Sequence, residues 1–197
     1  MVDRYLKYYE TPLGAQILKE ETSYLRNHLG GCGKILDVGC GPGVFEKELI
    51  GYDIVGVDAN EQMIKKAEIL ADNVFVCAKA EKMPFEDNSF TCVFYVTSME
   101  FIGDYRAAVD ETIRVLSDGG RILILMLNPK SAYFKLKVEE EGYISRYVNI
   151  NTEEIKEYLE GFFIVDEEFF LGIGDDVVFN SDNPKYASII ALRGVLR

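Results

Sequence analysis

The stretch from residue 35 to residue 49, ILDVGCGPGVFEKEL, constrains the fold more than any other part of the chain. It starts within a short apolar run, Lys34–Val38, which predicts a buried strand. Glycine then recurs at every second position, at Gly39, Gly41 and Gly43, before a helical pattern begins. Glycine has no Cβ, so the backbone can turn tightly and a ligand can lie against it. The order of strand, glycine turn and helix therefore predicts a nucleotide-binding site.

Two details of this turn narrow the class of ligand. Asp37 lies on the strand two residues before the first glycine, and a carboxylate there would repel a pyrophosphate. Val44 occupies the position where a dinucleotide-binding fold has its third glycine. The carboxylate would suit a cation instead, such as the ammonium of a methionine moiety.

Downstream of this stretch, strand and helix patterns alternate. This alternation predicts a parallel sheet covered by helices on both faces, with ligands at the carboxyl ends of its strands. An N-terminal helical region, residues 3–29 with a break at Thr11-Pro12, precedes the sheet. The predicted strands cover residues 34–38, 54–57, 74–77, 90–96, 121–127, 162–170 and 186–193. The predicted helices cover residues 44–50, 62–70, 105–116 and a segment that is capped at Asn151 or Thr152 and ends at Gly161. Residues 118–120 are predicted to form a turn, and residues 172–184 a loop.

Composition and charge exclude several classes of function. The 197 residues carry a net charge of −12 without a clear basic patch, which disfavours nucleic acid as a substrate. No apolar run approaches the roughly 20 residues that span a membrane, and the N-terminus lacks a signal-peptide core. The cysteines Cys32, Cys40, Cys77 and Cys92 form no Cys-x-x-Cys pair, so we expect buried free thiols and a cytoplasmic protein. With a single histidine, no metal site is expected.

The segment Asp37–Gly43, DVGCGPG, resembles the first motif of the class I S-adenosylmethionine (SAM) dependent methyltransferases. The resemblance is to the small-molecule branch that includes the ubiquinone-biosynthesis-type enzymes, methyltransferase type 11, and it covers residues 5–193. It implies a Rossmann-like, doubly wound α/β fold. Its seven-stranded sheet would be mostly parallel, with an antiparallel terminal strand.

The resemblance also implies the cofactor and its site. The cofactor would be SAM, with S-adenosylhomocysteine (SAH) as the product. Asp58, at the end of the second strand, would bind the ribose, although an acid there could instead be a helix cap or an exposed loop residue. The segment that starts at Ala80-Glu81 would lie beneath the adenine, unless Glu81 is simply a solvated acid. The full set of expected cofactor-binding residues is Tyr9, Asp37, Gly39, Cys40, Gly41, Gly43, Asp58, Ala59, Met63, Ala80, Glu81 and Tyr95.

Three of these expectations concern single side chains. Tyr9 belongs to an aromatic segment before Thr11-Pro12-Leu13-Gly14 that would fold over the cofactor as a lid. Tyr95 would lie over the glycine turn and contact the methionine moiety. Met63 would line the adenosine site, although its helical spacing fits core packing equally well.

The sequence does not assign a catalytic residue. Methyl transfer from a sulfonium depends mainly on alignment of the reacting atoms, so it needs little acid–base chemistry. The family often has a histidine after the fourth strand, where this chain has Glu100-Phe101. Glu100 is therefore the candidate base, although it could equally be a turn acid or a cofactor contact. Two other functions stay open, an NAD-dependent oxidoreductase and a non-catalytic SAM-binding regulatory protein.

We expect one methyltransferase domain over residues 1–197. Residues 1–30 would form a helical lid, and residues 128–149 an insertion on the substrate side. The partner would be a small-molecule substrate, and aromatic residues near the expected pocket suggest an apolar or planar one. The acceptor, the methylated atom and the oligomeric state cannot be read from the sequence.

Overall fold

The computed structural model describes residues 2–139, 151–174 and 176–197. Two helices precede the sheet, α1 (Val2–Glu10) and α2 (Pro12–Leu29). Thr11 separates them because its side-chain oxygen accepts a hydrogen bond from the backbone N–H of Gly14 at 3.1 Å, which caps α2. Pro12 occupies the first turn of α2, where its missing N–H costs no helical hydrogen bond. The predicted break at Thr11-Pro12 is confirmed.

A single sheet of eight strands organises the described residues, in the order β3-β2-β1-β4-β5-β8-β6-β7. Strands β1 to β5 pair in parallel, and β6, β7 and β8 add antiparallel pairs at one side. The strands are β1 (Lys34–Val38), β2 (Asp53–Asp58), β3 (Val74–Cys77), β4 (Phe90–Val96), β5 (Leu116–Leu127), β6 (Phe163–Gly174), β7 (Val177–Phe179) and β8 (Ala187–Leu196). The Rossmann-like arrangement with an antiparallel terminal strand is confirmed.

Helices cover both faces of the sheet. They are α3 (Val44–Glu48), α4 (Glu61–Leu70), α5 (Tyr105–Val115), α6 (Ala132–Glu139) and α7 (Thr152–Glu160), with a short 3-10 helix at Met99–Phe101. The apolar side chains form two clusters. Alternate residues of β4 divide between them, with Val93 and Tyr95 in one cluster and Phe94 and Val96 in the other. A strand that is buried on both faces explains the nearly continuous apolar sequence of β4.

The structure corrects the predicted sheet in two places. Residues 118–120 belong to β5, and the register between β4 and β5 shifts there, whereas the sequence predicted a turn. Residues 117–120 have no partner on β4, and Gly119 has a φ of 67°, so the two adjacent glycines form an irregularity within β5 instead of ending the strand. The strand β7 lies in the region predicted as a loop, so the described residues form eight strands where seven were predicted.

The cysteine prediction was wrong for one pair, and also for the burial of Cys77. Cys32 and Cys92 form a disulfide, with their Cα atoms 5.9 Å apart. The bond joins the turn before β1 to β4, the neighbouring strand. Cys40 and Cys77 are free thiols, Cys40 buried and Cys77 exposed. A pairing across 60 residues of sequence leaves no local pattern, which is why spacing did not reveal it.

Part of the predicted insertion at residues 128–149 can be compared with the structure. Its first residues carry α6, while residues 140–149, including Tyr143 and Tyr147, lie outside the described residues. Among the described helices, none is both long and apolar enough to cross a bilayer.

Candidate functional site

The glycine turn after β1 has the conformation that its sequence requires. Gly39, Gly41 and Gly43 all have positive φ angles, of 81°, 55° and 79°. A Cβ on Gly39 would lie only 2.4 Å from Cβ of Ser98, so both the backbone angle and the packing exclude a side chain there. The helix α3 after the turn has only five residues, which makes it a weak binding site for a phosphate.

Asp58 is held directly against this turn. One oxygen of its carboxylate accepts the backbone N–H of Gly41 at 3.0 Å, and the other accepts that of Asn60 at 2.8 Å. Burial raises the pKa of Asp58, and these two hydrogen bonds oppose the shift. A carboxylate fixed in this way keeps further lone pairs for the hydroxyls of a ribose.

Asp37 and Glu46 form a buried pair of acids behind the turn. Asp37 is 1% exposed and Glu46 is 2% exposed. Burial and the neighbouring carboxyl of Glu46 raise the pKa of Asp37 well above its usual range, and burial raises the pKa of Glu46 to about 7. Apart from Glu46, no donor in the described chain bonds to Oδ2 of Asp37. A cation placed at the turn would stabilise the ionised forms of both acids.

The segment that was predicted to lie beneath the adenine follows β3, and side chains of α5 hold it in place. Arg114 donates hydrogen bonds to the carbonyls of Phe85 at 2.8 Å and Met83 at 3.1 Å. Glu111 accepts the backbone N–H of Met83 at 2.7 Å and pairs with Arg114 at 2.7 Å. Sequence reasoning missed this network, and its only local signal was the spacing of an acid and an arginine three residues apart on one helix.

The remaining residues predicted around the adenosine lie near the ends of β2 and β3. Ala59 is exposed, Met63 and Glu81 are partly buried, and Ala80 is 9% exposed. The backbone N–H of Ala78 donates to the carbonyl of Asp58 at 3.1 Å, which ties the two strand ends together. Cys40 can contribute only its backbone, because its thiol is buried against Gly56.

Tyr95 does not lie over the glycine turn. Its side chain is completely buried in the core on the α5 side, where its hydroxyl hydrogen-bonds to that of Thr112 at 2.6 Å. Ser98 occupies the predicted position instead, and its hydroxyl donates to the carbonyl of Val38 at 2.7 Å. Thr97 between them has a φ of 44°, which is strained for a β-branched residue and places Ser98 against the turn.

The helix α1 brings aromatic side chains to the turn. Cε1 of Tyr5 lies 4.0 Å from the position of a Cβ on Gly41, and the hydroxyls of Tyr5 and Tyr9 are 3.3 Å apart. The rings of Tyr8 and Tyr9 meet edge to face with centroids 5.5 Å apart. The aromatic segment that was predicted to cover the cofactor therefore does lie against the glycine turn, although it is Tyr5 that approaches it.

Glu100 is buried beside a second acid that the sequence did not single out. Glu100 and Glu21 are each 2% exposed. The backbone N–H of Leu127 donates to one oxygen of Glu100 at 2.6 Å. Burial and the nearby Glu100 raise the pKa of Glu21 to about 8, and burial raises the pKa of Glu100 to about 7. Glu21 lies on α2, far from Glu100 in sequence, so no spacing rule links them.

Two cavities lie elsewhere on the molecule. One of about 190 Å³ is lined by Glu20, Phe170 and Phe179, and another of about 290 Å³ lies next to His28 and Arg193. Neither includes a predicted cofactor-binding residue. The helix α1 covers the glycine turn. The turn is therefore identified as the candidate site by the residues that line it and not by its open volume.

Comparison with known proteins agrees with this geometry. A family model described as a methyltransferase domain matches residues 36–124, which include the glycine turn and Asp58. An uncharacterised protein of Methanocaldococcus jannaschii is 32% identical over 145 residues, which cover 73% of this chain and 68% of that protein. The chain belongs to the family of SAM-dependent methyltransferases. SAM is the cofactor of this family, and the acids and glycines of the turn fit it better than they fit a dinucleotide.

Other relatives of this methyltransferase are more distant. A ubiquinone biosynthesis O-methyltransferase of Xanthomonas oryzae is 26% identical over 135 residues, and the match covers 64% of this chain and 56% of the relative. This chain thus spans little more than half the length of that enzyme.

The fold is also found in solved structures. A SAM-dependent methyltransferase of Thermotoga maritima, described as a possible histamine N-methyltransferase, superposes with a TM-score of 0.84 at 21% identity. The superposition covers 100% of this methyltransferase and 96% of the Thermotoga chain. A second SAM-dependent methyltransferase, from Archaeoglobus fulgidus, gives a TM-score of 0.72 and covers 90% of this chain and 94% of its own. At these identities the likeness concerns the fold.

Proposed function

We propose that this protein transfers a methyl group from SAM to a small-molecule acceptor, and that residues 1–197 form one catalytic domain. The observation that carries the proposal is the carboxylate of Asp58, which backbone N–H groups hold beside Gly41 at the end of β2. When bound, SAM supplies a methyl group on a positively charged sulfur that a nucleophile can attack.

The residues of the turn have separate parts in this proposal. Asp58 accepts hydrogen bonds from the ribose diol. Asp37, supported by Glu46, faces the ammonium of the methionine moiety and becomes fully ionised when that charge arrives. Ala80-Glu81 and the segment that Arg114 holds line the adenine, and Ala59 and Met63 line the adenosine from α4.

The walls of the site exclude water from the reaction. Tyr5 on α1 approaches the turn with Tyr9 beside it, and Ser98, just after β4, packs against Gly39. An apolar, aromatic enclosure favours a reaction in which the charge of the sulfonium disperses. The absence of a clear basic patch on a chain with a net charge of −12 argues against a nucleic acid as the acceptor.

A cytoplasmic location is a further proposal. The free cysteines Cys40 and Cys77 support it. Cys32 and Cys92 do not, because they form a disulfide.

The first test is isothermal titration calorimetry of the full chain with SAM and with SAH. We expect micromolar binding of both, and a loss of at least about 100-fold in Asp58→Ala, which removes the ribose acceptor. Asp72→Ala, beyond the end of α4, is the control and should bind like the wild type. If the intact protein bound neither ligand, the proposed function would be wrong.

Catalysis is tested separately. Formation of SAH from SAM in the presence of a metabolite mixture distinguishes an enzyme from a non-catalytic SAM-binding protein. Binding without turnover for any acceptor would favour the regulatory protein.

A further inference from the structure

Two buried acids next to the cofactor site have no role in the proposed binding of SAM. Glu21 projects from the middle of α2, and Glu100 lies in the 3-10 helix after β4. The side chains of both are almost fully enclosed, at 2% exposure. A buried carboxyl group requires a compensating partner, because the loss of hydration is costly.

Each acid has an oxygen whose hydrogen bonding is unsatisfied. Oε1 of Glu100 accepts the N–H of Leu127 at 2.6 Å, which fixes the side chain. Oε2 of Glu100 and Oε2 of Glu21 have no hydrogen-bond partner in the described part of the chain. Glu21 and Glu100 are near enough to repel each other when ionised, and no lysine or arginine of the described residues offsets that repulsion.

Tyrosine side chains of α1 lie near Glu21. The charge of Glu21 acts on the hydroxyls of both Tyr8 and Tyr9, and Tyr8 is also hydrogen-bonded to Tyr133. The faces of aromatic rings attract cations, so the tyrosines and the two carboxyls favour the same sign of charge. Anionic acceptors would meet two acids, and no lysine or arginine among the described residues would compensate that charge.

The neighbours of the pair connect it to the glycine turn. Glu100 is two residues beyond Ser98, which packs on Gly39. Tyr5 lies close to Gly41, and its hydroxyl is 3.3 Å from that of Tyr9. The acids are therefore linked to the glycine turn through Ser98 and through the tyrosines of α1.

We propose that Glu21 and Glu100 bind the ammonium group of an amine acceptor, which makes this protein an N-methyltransferase for amines with an apolar body. This inference rests on the proposed function and names its substrate class. The ammonium passes one proton to a carboxylate of the pair, and the freed nitrogen lone pair forms the bond to the methyl carbon. The electron pair of the broken carbon–sulfur bond stays on sulfur. The product leaves as a methylated ammonium, and the carboxyl proton is then lost to water.

The test is calorimetry of the full chain saturated with SAH, using matched probes. Phenethylamine and hexylamine are compared with 2-phenylethanol and hexanol, and with 3-phenylpropanoate. We expect at least one amine to bind at least 10-fold more tightly than its alcohol, and the carboxylate to bind more weakly than either. Repeating the titration in two buffers of different ionisation enthalpy measures the protons released as the acid pair becomes ionised.

Two variants test whether the acid pair binds the amine. Glu21→Gln and Glu100→Gln keep the shape of the side chain. In Glu100→Gln the amide oxygen can still accept the N–H of Leu127. Each should weaken amine binding at least 10-fold while SAH affinity stays within twofold of the wild type. Glu20→Gln, which removes an exposed acid from the same helix, is the control and should change neither affinity.

The outcomes separate the two proposals. Loss of SAH binding by the wild type would overturn the proposed function itself. Normal SAH binding, with amines no tighter than alcohols or unaffected by both variants, would overturn the amine inference alone. A drop of 10-fold or more in SAH affinity in both variants would assign the acids to the cofactor and also overturn it.

Discussion

At the scale of single residues, the site depends on glycine positions where no other residue fits. Gly39 combines a φ of 81° with a backbone that lies against Ser98. The two constraints act together, because a methyl group would strain the backbone and also displace the segment after β4. The glycine turn is thus fixed by close packing.

Gly39→Ala should destabilise the protein and abolish SAH binding. Strain at a positive φ costs about 1–2 kcal/mol, and the contact of 2.4 Å with Ser98 adds to it. Urea denaturation and calorimetry measure the two effects. Gly30→Ala is the matched control, since its added Cβ meets no atom within 4 Å and its φ is −56°. Wild-type affinity in Gly39→Ala would contradict the packing argument.

The pKa of Glu21 predicts how stability depends on pH. Its value rises from 4.5 to about 8 on folding because the side chain is buried near Glu100. The folded state therefore binds more protons than the unfolded state between these two values, and stability falls as pH rises through this window. In Glu21→Gln this contribution is absent, so the variant should gain stability over the wild type as the pH increases.

Urea denaturation at pH 5 and pH 8 measures this gain. We expect the variant and the wild type to be similar at pH 5, and the variant to be more stable by on the order of 2–4 kcal/mol at pH 8. Glu20→Gln should show no such difference between the two pH values. An equal difference for Glu21→Gln at both pH values would mean that the acid is not desolvated.

At the scale of secondary-structure elements, the junction of α1 and α2 decides where the tyrosines lie. Thr11 caps α2 and also donates its hydroxyl to the carbonyl of Tyr8 at 2.6 Å, so one side chain joins both helices. A Cβ on Gly14 would lie 2.0 Å from that same carbonyl oxygen. The absence of a side chain at Gly14 thus lets α1 fold back over the glycine turn.

Gly14→Ala should displace α1, although alanine normally favours a helix over glycine by about 1 kcal/mol. We expect faster hydrogen exchange in α1 and a loss of about 10-fold in SAH affinity as Tyr5 leaves the turn. Ala15→Val, at the next and exposed position of α2, is the control. Unchanged exchange in α1 of Gly14→Ala would show that the contact is easily relieved.

At the scale of the whole molecule, the sheet unites residues that are distant in sequence. The ends of β1, β2 and β4 carry Asp37, Asp58 and Ser98 to one edge, which is where ligands bind in open α/β sheets. At the opposite end of the parallel strands, the disulfide between Cys32 and Cys92 fastens β4 to the chain before β1. The carboxyl ends of the parallel strands thus form the binding side, and the disulfide cross-links the opposite ends.

Removal of this disulfide should lower global stability without affecting the site. Closing a loop with a sequence separation of 60 contributes about 2–4 kcal/mol through the unfolded chain. Cys32→Ser should therefore unfold at lower urea concentration and bind SAH normally, with Cys77→Ser as the control. Thiol titration of the denatured protein without reductant should find two free thiols, and four would show that the bond is absent.

The sequence by itself determined the parallel strands, the break between the first two helices and the glycine turn. These features follow from local causes, namely apolar periodicity, a capping threonine before proline and glycines at angles that other residues avoid. Asp37 and Asp58 could be predicted as site residues for the same reason, because Asp37 lies within a recognisable strand pattern and Asp58 directly follows one. The chemistry of the cofactor edge is therefore encoded in short segments of the chain.

Tertiary structure alone decided which side chains meet. In β4 both faces are buried, so its sequence lacks the alternation that would have shown that Tyr95 points towards α5 and away from the glycine turn. The support of the adenine segment by Arg114, the disulfide and the pairing of Glu21 with Glu100 all join positions far apart in the chain. Contacts of this kind depend on how elements pack around the sheet, and no local spacing encodes them.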